Sequence, residues 1–151
     1  MSAGAGVEGK VKAFVDTNVV LYAFDTSAGE KRAKALTLLT DLWHTGNGCV
    51  SVQVLQEFYV NATRKLSTPL PVETAKRIVA ALSRWEVHAP TAEDVLSAID
   101  LQRENELSFW DAMIVSSAGR LGCRVLYSED LNAGQVIAGV RVVNPFEGGE
   151  L

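Results

Sequence analysis

The chain has 151 residues, of which 48% are hydrophobic, and this is long enough for one domain with a single core. Its formal net charge of −4 at pH 7 argues against a protein that coats nucleic acid through bulk positive charge. The longest apolar run, residues 19–24, is far too short for a membrane span, which needs about 20 residues. Residues 1–10 lack the basic start and apolar stretch of a signal peptide, so we expect a disordered tail and a cytoplasmic protein with no membrane partner.

Short apolar runs and longer amphipathic segments alternate along the first half of the chain. Ser27 and Glu30 have the spacing of a capping box, which predicts a helix that keeps helical period until Gly46. Ser51 is suited to cap the next helix, and Pro71 is suited to the first turn of a third. The predicted elements are strands over 11–15, 48–50 and 86–88, and helices over 27–46, 51–66 and 72–84.

The second half of the chain continues this alternation. Thr91 and Asp94 predict a capping box at the start of one helix, and Ser108 and Asp111 predict another at the start of a helix that stops at Gly122. The predicted strands in this half cover 124–128 and 140–143. Because parallel strands need crossover connections, the alternation favours an α/β fold, a three-layer α/β/α sandwich with a central parallel sheet of about five strands.

Four acidic residues are the candidate functional residues, namely Asp16, Glu57, Asp111 and Asp130. Asp16 and Asp130 each follow a predicted strand, and the carboxyl ends of parallel strands are where open α/β sheets place their chemistry. Taken singly, three of the four have structural explanations. Asp16 and Asp130 could stabilise turns, and Asp111 could complete the capping box of Ser108. Glu57 has no such explanation, so it decides how the other three are interpreted.

Glu57 lies on the apolar side of its predicted helix, surrounded by Val54, Leu55 and Phe58. A carboxylate placed there costs several kcal/mol unless a cation or a hydrogen-bond donor accompanies it. No basic residue stands within one helical turn of Glu57, and Asp111 is likewise flanked by apolar residues. Carboxylates gathered in this way without a countercharge indicate a bound metal ion.

The chemistry of these candidate ligands narrows the choice of metal. Oxygen ligands without a nearby histidine or cysteine favour Mg²⁺ or Mn²⁺ over zinc. Such ions suit phosphoryl chemistry, since they activate and orient a water and neutralise charge on the phosphate. Thr17, Asn18 and Ser128 are placed to supply hydrogen bonds that hold the carboxylates or the waters.

Several other polar or reactive residues are given structural roles. Cys49 and Cys123 are far apart and each borders a strand-like segment, so we expect buried free thiols. His44 and His88 each stand alone, which favours structural or exposed histidines over metal ligands. Glu129 is expected to be a solvated loop residue, because adjacent side chains at a strand end point in opposite directions.

The sequence resembles a known family at five positions along the chain. The matching segments are Phe-Val-Asp-Thr-Asn-Val at 14–19, Gln-Glu-Phe at 56–58, Phe-Trp-Asp-Ala at 109–112, Ser-Glu-Asp-Leu at 128–131 and Asn-Pro-Phe at 144–146. In this order they resemble the successive motifs of PIN-domain proteins, particularly the VapC-type toxin ribonucleases of toxin-antitoxin systems. The resemblance runs from about residue 11 to residue 146 and assigns residues 11–147 to a PIN-like nuclease domain.

The resemblance implies a Mg²⁺- or Mn²⁺-dependent endoribonuclease that acts on RNA, is blocked by a cognate antitoxin protein and forms a homodimer. Carried onto this sequence, the metal ligands and catalytic residues are Asp16, Glu57, Asp111 and Asp130, supported by Asn18 and Ser128. All four acidic positions are filled, which is typical of an active member. Local basic residues such as Arg64 and Lys65 would then attract the substrate.

Two alternatives remain beside the ribonuclease. A phosphatase of the haloacid dehalogenase type also begins with an aspartate after the first strand, but it needs a second aspartate two residues later, where this chain has Asn18. It also needs a lysine late in the chain, and the last lysine here is Lys76. In the other alternative, a PIN-like scaffold binds RNA or a partner protein without catalysis, and its acidic residues merely hold a structural ion.

Overall fold

The computed structural model describes residues 11–147, so the predicted tail over 1–10 lies outside the described residues. The helices of the described part are α1 (Thr17–Ala23), α2 (Glu30–Thr45), α3 (Val52–Arg64), α4 (Val72–Leu82), α5 (Ala92–Asn105) and α6 (Phe109–Arg120). The strands are β1 (Ala13–Val15), β2 (Gly48–Ser51), β3 (Glu86–His88), β4 (Val125–Tyr127), β5 (Val136–Ile137) and β6 (Val140–Val143). Within residues 11–147, every helix falls short of the length and apolar composition that crossing a membrane requires.

The strands form one sheet in the order β3-β2-β1-β4-β6-β5. All neighbouring pairs are parallel except β5 and β6, which form an antiparallel pair at the edge. The predicted α/β/α fold is therefore confirmed, with five parallel strands and one short additional strand. β1 and β4 are neighbours in register, with Val15 opposite Tyr127, so the residues that follow these two strands emerge side by side.

The hydrophobic core lies around the central strands of the sheet. Every residue of β1 is buried, and Phe14 and Val15 are fully inaccessible to solvent, as is Leu126 on β4. Strands covered by helices on both faces are apolar along their whole length, which explains why β1 shows no alternation of polar and apolar residues. Phe58 anchors α3 in the same core. The sheet and α3 thus form a fixed frame for the residues at the strand ends.

The start of α2 differs from the prediction. Its N-cap is Gly29, with φ 60°, and none of the side chains of residues 11–147 caps the helix there. Ser27 instead bonds to Asp25, whose Oδ1 accepts from both the backbone N–H and the hydroxyl of Ser27 at 2.9 and 2.6 Å. The predicted capping box at Ser27 is therefore wrong, because a nearer carboxylate engages the serine.

The other predicted caps are present in whole or in part. Ser51 accepts from the backbone of Val54 at the start of α3, and Thr91 forms a complete capping box with the third helical residue of α5. Ser108 caps α6 by accepting from the backbone N–H of Asp111 at 3.0 Å. The caps at Ser51 and Ser108 matter for function because they fix the helices that carry Glu57 and Asp111.

Cys49 and Cys123 are both buried free thiols, as predicted.

Candidate functional site

Asp16 lies at the carboxyl end of β1 and is only 5% exposed. Its carboxylate accepts from the backbone N–H of Thr17 at 2.7 Å, from the hydroxyl of Ser128 at 2.8 Å and from the amide of Asn18 at 3.4 Å. Burial, with further repulsion from Asp130 and Asp111, raises the pKa of Asp16 to about 7 although the bonds from Ser128 and Thr17 oppose this. A buried carboxylate with a raised pKa and no cationic partner is a common feature of functional sites.

The loop after β4 is joined to Asp16 through two predicted support residues. Ser128, which is fully buried, donates to Asp16 and accepts from the backbone N–H of Asp130 at 3.1 Å. Asn18 accepts from the backbone N–H of Glu129 at 3.1 Å. Asn18 and Ser128 therefore lie where the sequence expects them, at hydrogen-bonding distance from a candidate ligand. Their contribution to activity stays a prediction.

Glu57 is held by two neutral donors. The hydroxyl of Thr17 donates to its Oε1 at 2.7 Å, and the amide of Gln53, one turn earlier on α3, donates to its Oε2 at 3.0 Å. Thr17 thus links the end of β1 to α3, as expected for a residue that orients a ligand. These donors lower the cost of placing a carboxylate among apolar neighbours, and they leave its charge uncompensated.

Asp111 and Asp130 complete the acidic set. Asp111 is half-buried near the start of α6, and Asp130 is exposed on the loop after β4. Burial raises the pKa of Asp111, and the charges of Asp130 and Glu57 act in the same direction against the opposing bond from Ser108. Because the charges of Asp130 and Glu57 act on the Asp111 carboxylate, this group belongs to the same site and is not merely a capping group.

All four predicted carboxylates line one cleft of about 290 Å³, which we call the acidic cleft. It is lined by Asp16, Thr17, Asn18, Leu21, Gln53, Glu57, Asn61, Trp110, Asp111, Ile114 and Asp130. No lysine, arginine or histidine is among these lining residues. The cleft therefore concentrates negative charge at the carboxyl ends of β1 and β4, where the sequence predicts the site.

The donor set fits a hard divalent cation. Within residues 11–147, no three side chains of histidine, cysteine, aspartate or glutamate are grouped closely enough to form a preassembled metal cluster. The four carboxylates line the acidic cleft from separate elements of the fold. Oxygen ligands of this kind suit Mg²⁺, which keeps several waters and is bound through one or two carboxylates at a time. Mn²⁺ has similar ligand preferences.

Glu129 does not behave as predicted. Its carboxylate accepts from the hydroxyl of Tyr22 at 2.7 Å and forms an ion pair with Lys31, whose ammonium lies 4.9 Å from the centre of the Tyr22 ring. Partial burial acts to raise the pKa of Glu129, but the hydrogen bonds from Lys31 and Tyr22 outweigh it, so the pKa is lowered. The expectation of a solvated loop residue is wrong. Glu129 fastens the loop that carries Asp130 to α1 and α2.

The sequence interpretation missed five residues that line the acidic cleft: the aliphatic Leu21 and Ile114, the amides Gln53 and Asn61, and the aromatic Trp110. Gln53 and Asn61 lie four residues before and four residues after Glu57 on α3, and side chains at this spacing share one helix face. That spacing was the available signal for both amides. Trp110 was visible only as an apolar neighbour of Asp111, and its exposure could not be inferred from the sequence.

The family model for the PIN domain matches residues 13–137. This chain belongs to the PIN-domain family. The match spans β1 to β5 and includes all four carboxylates of the acidic cleft. None of the curated proteins matches the sequence of this PIN-domain chain.

Several solved structures share the fold of this PIN-domain protein. A toxin-antitoxin complex from Klebsiella pneumoniae has a TM-score of 0.69 at 22% identity and covers 90% of this chain and 99% of its own. VapC20 of Mycobacterium tuberculosis, a toxin that cleaves the sarcin-ricin loop, has a TM-score of 0.58 at 23% identity, and the match covers 79% of this chain and 90% of the toxin. DNA-bound VapBC from Salmonella typhimurium has a TM-score of 0.59 at 22% identity, and the match covers 87% of this chain and 96% of the other. At these identities the likeness establishes the fold.

Proposed function

We propose that this PIN-domain protein is an endoribonuclease that depends on Mg²⁺ or Mn²⁺, with residues 11–147 as its nuclease domain. The observation that carries the proposal is the acidic cleft, in which Asp16, Glu57, Asp111 and Asp130 surround one space without a cation among the lining residues. The family match supports nuclease chemistry, and one relative with this fold is a toxin that cleaves an RNA loop.

Asp16, Glu57 and Asp111 would hold the ion, and Asp130 at the exposed rim would complete the set. When bound, the ion supplies Lewis-acid chemistry, since it activates a water for attack on phosphorus and neutralises charge on the phosphodiester. Ser128 and Asn18 orient the Asp16 carboxylate through their hydrogen bonds. No side chain acts as a covalent nucleophile.

We further propose that the enzyme is the toxin of a toxin-antitoxin pair and is blocked by a cognate antitoxin. Two of the relatives that share its fold are toxin-antitoxin or VapBC complexes, which supports a partner of this kind. A homodimer is also proposed, and the apolar side chains of Val95, Leu96 and Ile99, which are exposed on α5, are consistent with a partner surface. We also propose a cytoplasmic location, in keeping with an RNA substrate.

Cleavage of RNA by the purified protein tests the nuclease proposal. We expect cleavage with Mg²⁺ or Mn²⁺, no cleavage with EDTA, and a large loss of activity in Asp16→Asn and Asp111→Asn. Asp41→Asn is the matched control, because Asp41 is an exposed carboxylate on α2 outside the acidic cleft. Equal activity in all three variants would show that the cleavage comes from another protein or another site.

A further inference from the structure

Trp110 presents a large aromatic surface at the edge of the acidic cleft. Its side chain lines the cleft and is nevertheless 61% exposed. Phe109 packs against it edge-on, with ring centres 5.0 Å apart and planes at 74°, so the tryptophan is supported from one side. Trp110 also directly precedes Asp111, which places a flat apolar surface beside a candidate metal ligand. An exposed indole in this position is suited to stack on a flat ligand.

Gln53 contributes a polar group that has no partner within the described part of the chain. The residue is only 8% exposed, and its Nε2 donates to Glu57 at 3.0 Å and to the backbone carbonyl of Trp110 at 3.4 Å. Both partners are acceptors, so the orientation of the amide is fixed by its bonds. Its Oε1 is buried and accepts no hydrogen bond from residues 11–147. A buried acceptor of this kind needs a donor, and because Gln53 lines the acidic cleft, a ligand that binds there and shifts this side chain can supply one.

The face of α3 that borders the cleft carries a row of polar side chains. Gln53, Glu57, Asn61 and Arg64 follow one another at spacings of four, four and three residues, which places them along one side of the helix. The first three line the acidic cleft, and Arg64 is exposed in the last turn. The cleft therefore combines an aromatic ring, two amides and carboxylates, with a cation further along the same helix.

We propose that the acidic cleft contains a subsite for one unpaired nucleobase of the RNA. The base stacks on the ring of Trp110, and the amides of Gln53 and Asn61 bond to its edge. Every base carries an N–H group able to donate to Gln53 Oε1, so the subsite selects an unpaired base of any identity. This inference rests on the proposed function. A base must leave its helix to stack in this way, so the substrate is single-stranded or looped at the cleavage point.

Binding of a short fluorescent single-stranded RNA to the full chain tests the subsite. Affinity is measured by fluorescence anisotropy with Ca²⁺ in place of Mg²⁺, and a gel confirms that the RNA stays intact. Loss of a base–aromatic stack predicts binding weakened by about 5- to 150-fold in Trp110→Ala, and Trp110→Phe should keep most of the affinity. Trp43→Ala is the matched control, since Trp43 is 44% exposed in a separate cleft between α2 and α4 and should leave binding unchanged.

A loss of stacking can be separated from a general loss of protein structure with a series of RNAs, each of which lacks the base at one position. The wild-type protein should lose affinity strongly at one position, and Trp110→Ala should lose nothing further there, because the stack is already absent. Additive losses at that position, or wild-type affinity in Trp110→Ala, would overturn the subsite. A change in particle mass with unchanged RNA affinity would also overturn it, since Trp110 would then contact a second copy. Absence of cleavage by the wild-type protein with Mg²⁺ would contradict the nuclease proposal separately.

Discussion

Replacing Asp16 with asparagine is expected to stabilise the metal-free protein while removing its proposed activity. Asp16 is almost completely buried, and burial together with repulsion from other carboxylates raises its pKa from the ordinary value of 3.8 to about 7. The ionised form is therefore more costly in the folded protein than in the unfolded chain. Asparagine keeps the shape of the side chain and carries no charge.

The expected gain follows from the size of this shift. One pKa unit corresponds to about 1.36 kcal/mol, so a shift of roughly three units makes the charge cost up to about 4 kcal/mol at pH 7. Asparagine can still accept from the backbone of Thr17, but its amide nitrogen cannot accept from Ser128. Losing that bond costs about 1 kcal/mol. The net gain in the free energy of unfolding is therefore about 3 kcal/mol.

Urea denaturation with EDTA at a series of pH values measures this gain. Between pH 3.8 and about 7 the folded state of the wild-type protein keeps a proton that the unfolded chain has lost, so its stability falls as the pH rises. Asp16→Asn lacks this fall. Mg²⁺ should then stabilise the wild-type protein and leave the variant unchanged. A variant less stable than the wild type at pH 7 in EDTA would refute the reasoning.

Three further predictions follow from contacts around the fold. Glu129→Gln should weaken Mn²⁺ binding about 10-fold in calorimetric titration, because Glu129 fastens the loop that carries Asp130. An unchanged Mn²⁺ affinity would show that this loop does not need Glu129 to position Asp130. The N-cap backbone of α5 and then Arg120 lower the pKa of Asp94, so this carboxylate stabilises the fold above about pH 4 and loses that effect as the pH falls further. Acid denaturation of Asp94→Asn should lack that loss, and an unchanged acid profile would contradict it. Gly48→Ala should cost about 1–3 kcal/mol in chemical denaturation, because its Cβ would lie 2.7 Å from the ring of Trp85; wild-type stability would show that the ring moves aside.

The elements that could be predicted are those specified by neighbouring residues. The capping box of Thr91, the N-cap of Ser51 and the end of α2 at Gly46 depend on residues within one turn of the helix. The positions of Asp16 and Asp130 could be predicted equally well, because an acidic residue that follows a buried strand in a parallel sheet emerges at the carboxyl edge. Local sequence therefore predicted both the fold class and the location of the acidic cleft.

Features that depend on distant partners could not be predicted. Lys31 and Glu129 are 98 residues apart, and neither one indicates the other in the sequence. Helix α1 was missed for another reason, since it has only seven residues, and four of them are buried, so it shows no polar face. Asp16 caps it, and an aspartate before an apolar run was the one available signal.

The central claim is that the acidic cleft binds a divalent ion through its carboxylates. Anomalous diffraction from crystals soaked in Mn²⁺ tests this directly. We predict a strong anomalous peak in the cleft between Asp16 and Asp111, and no peak in crystals of Asp111→Asn grown and soaked in the same way. The absence of a peak in the wild-type protein at saturating Mn²⁺ would contradict the metal site and the mechanism built on it.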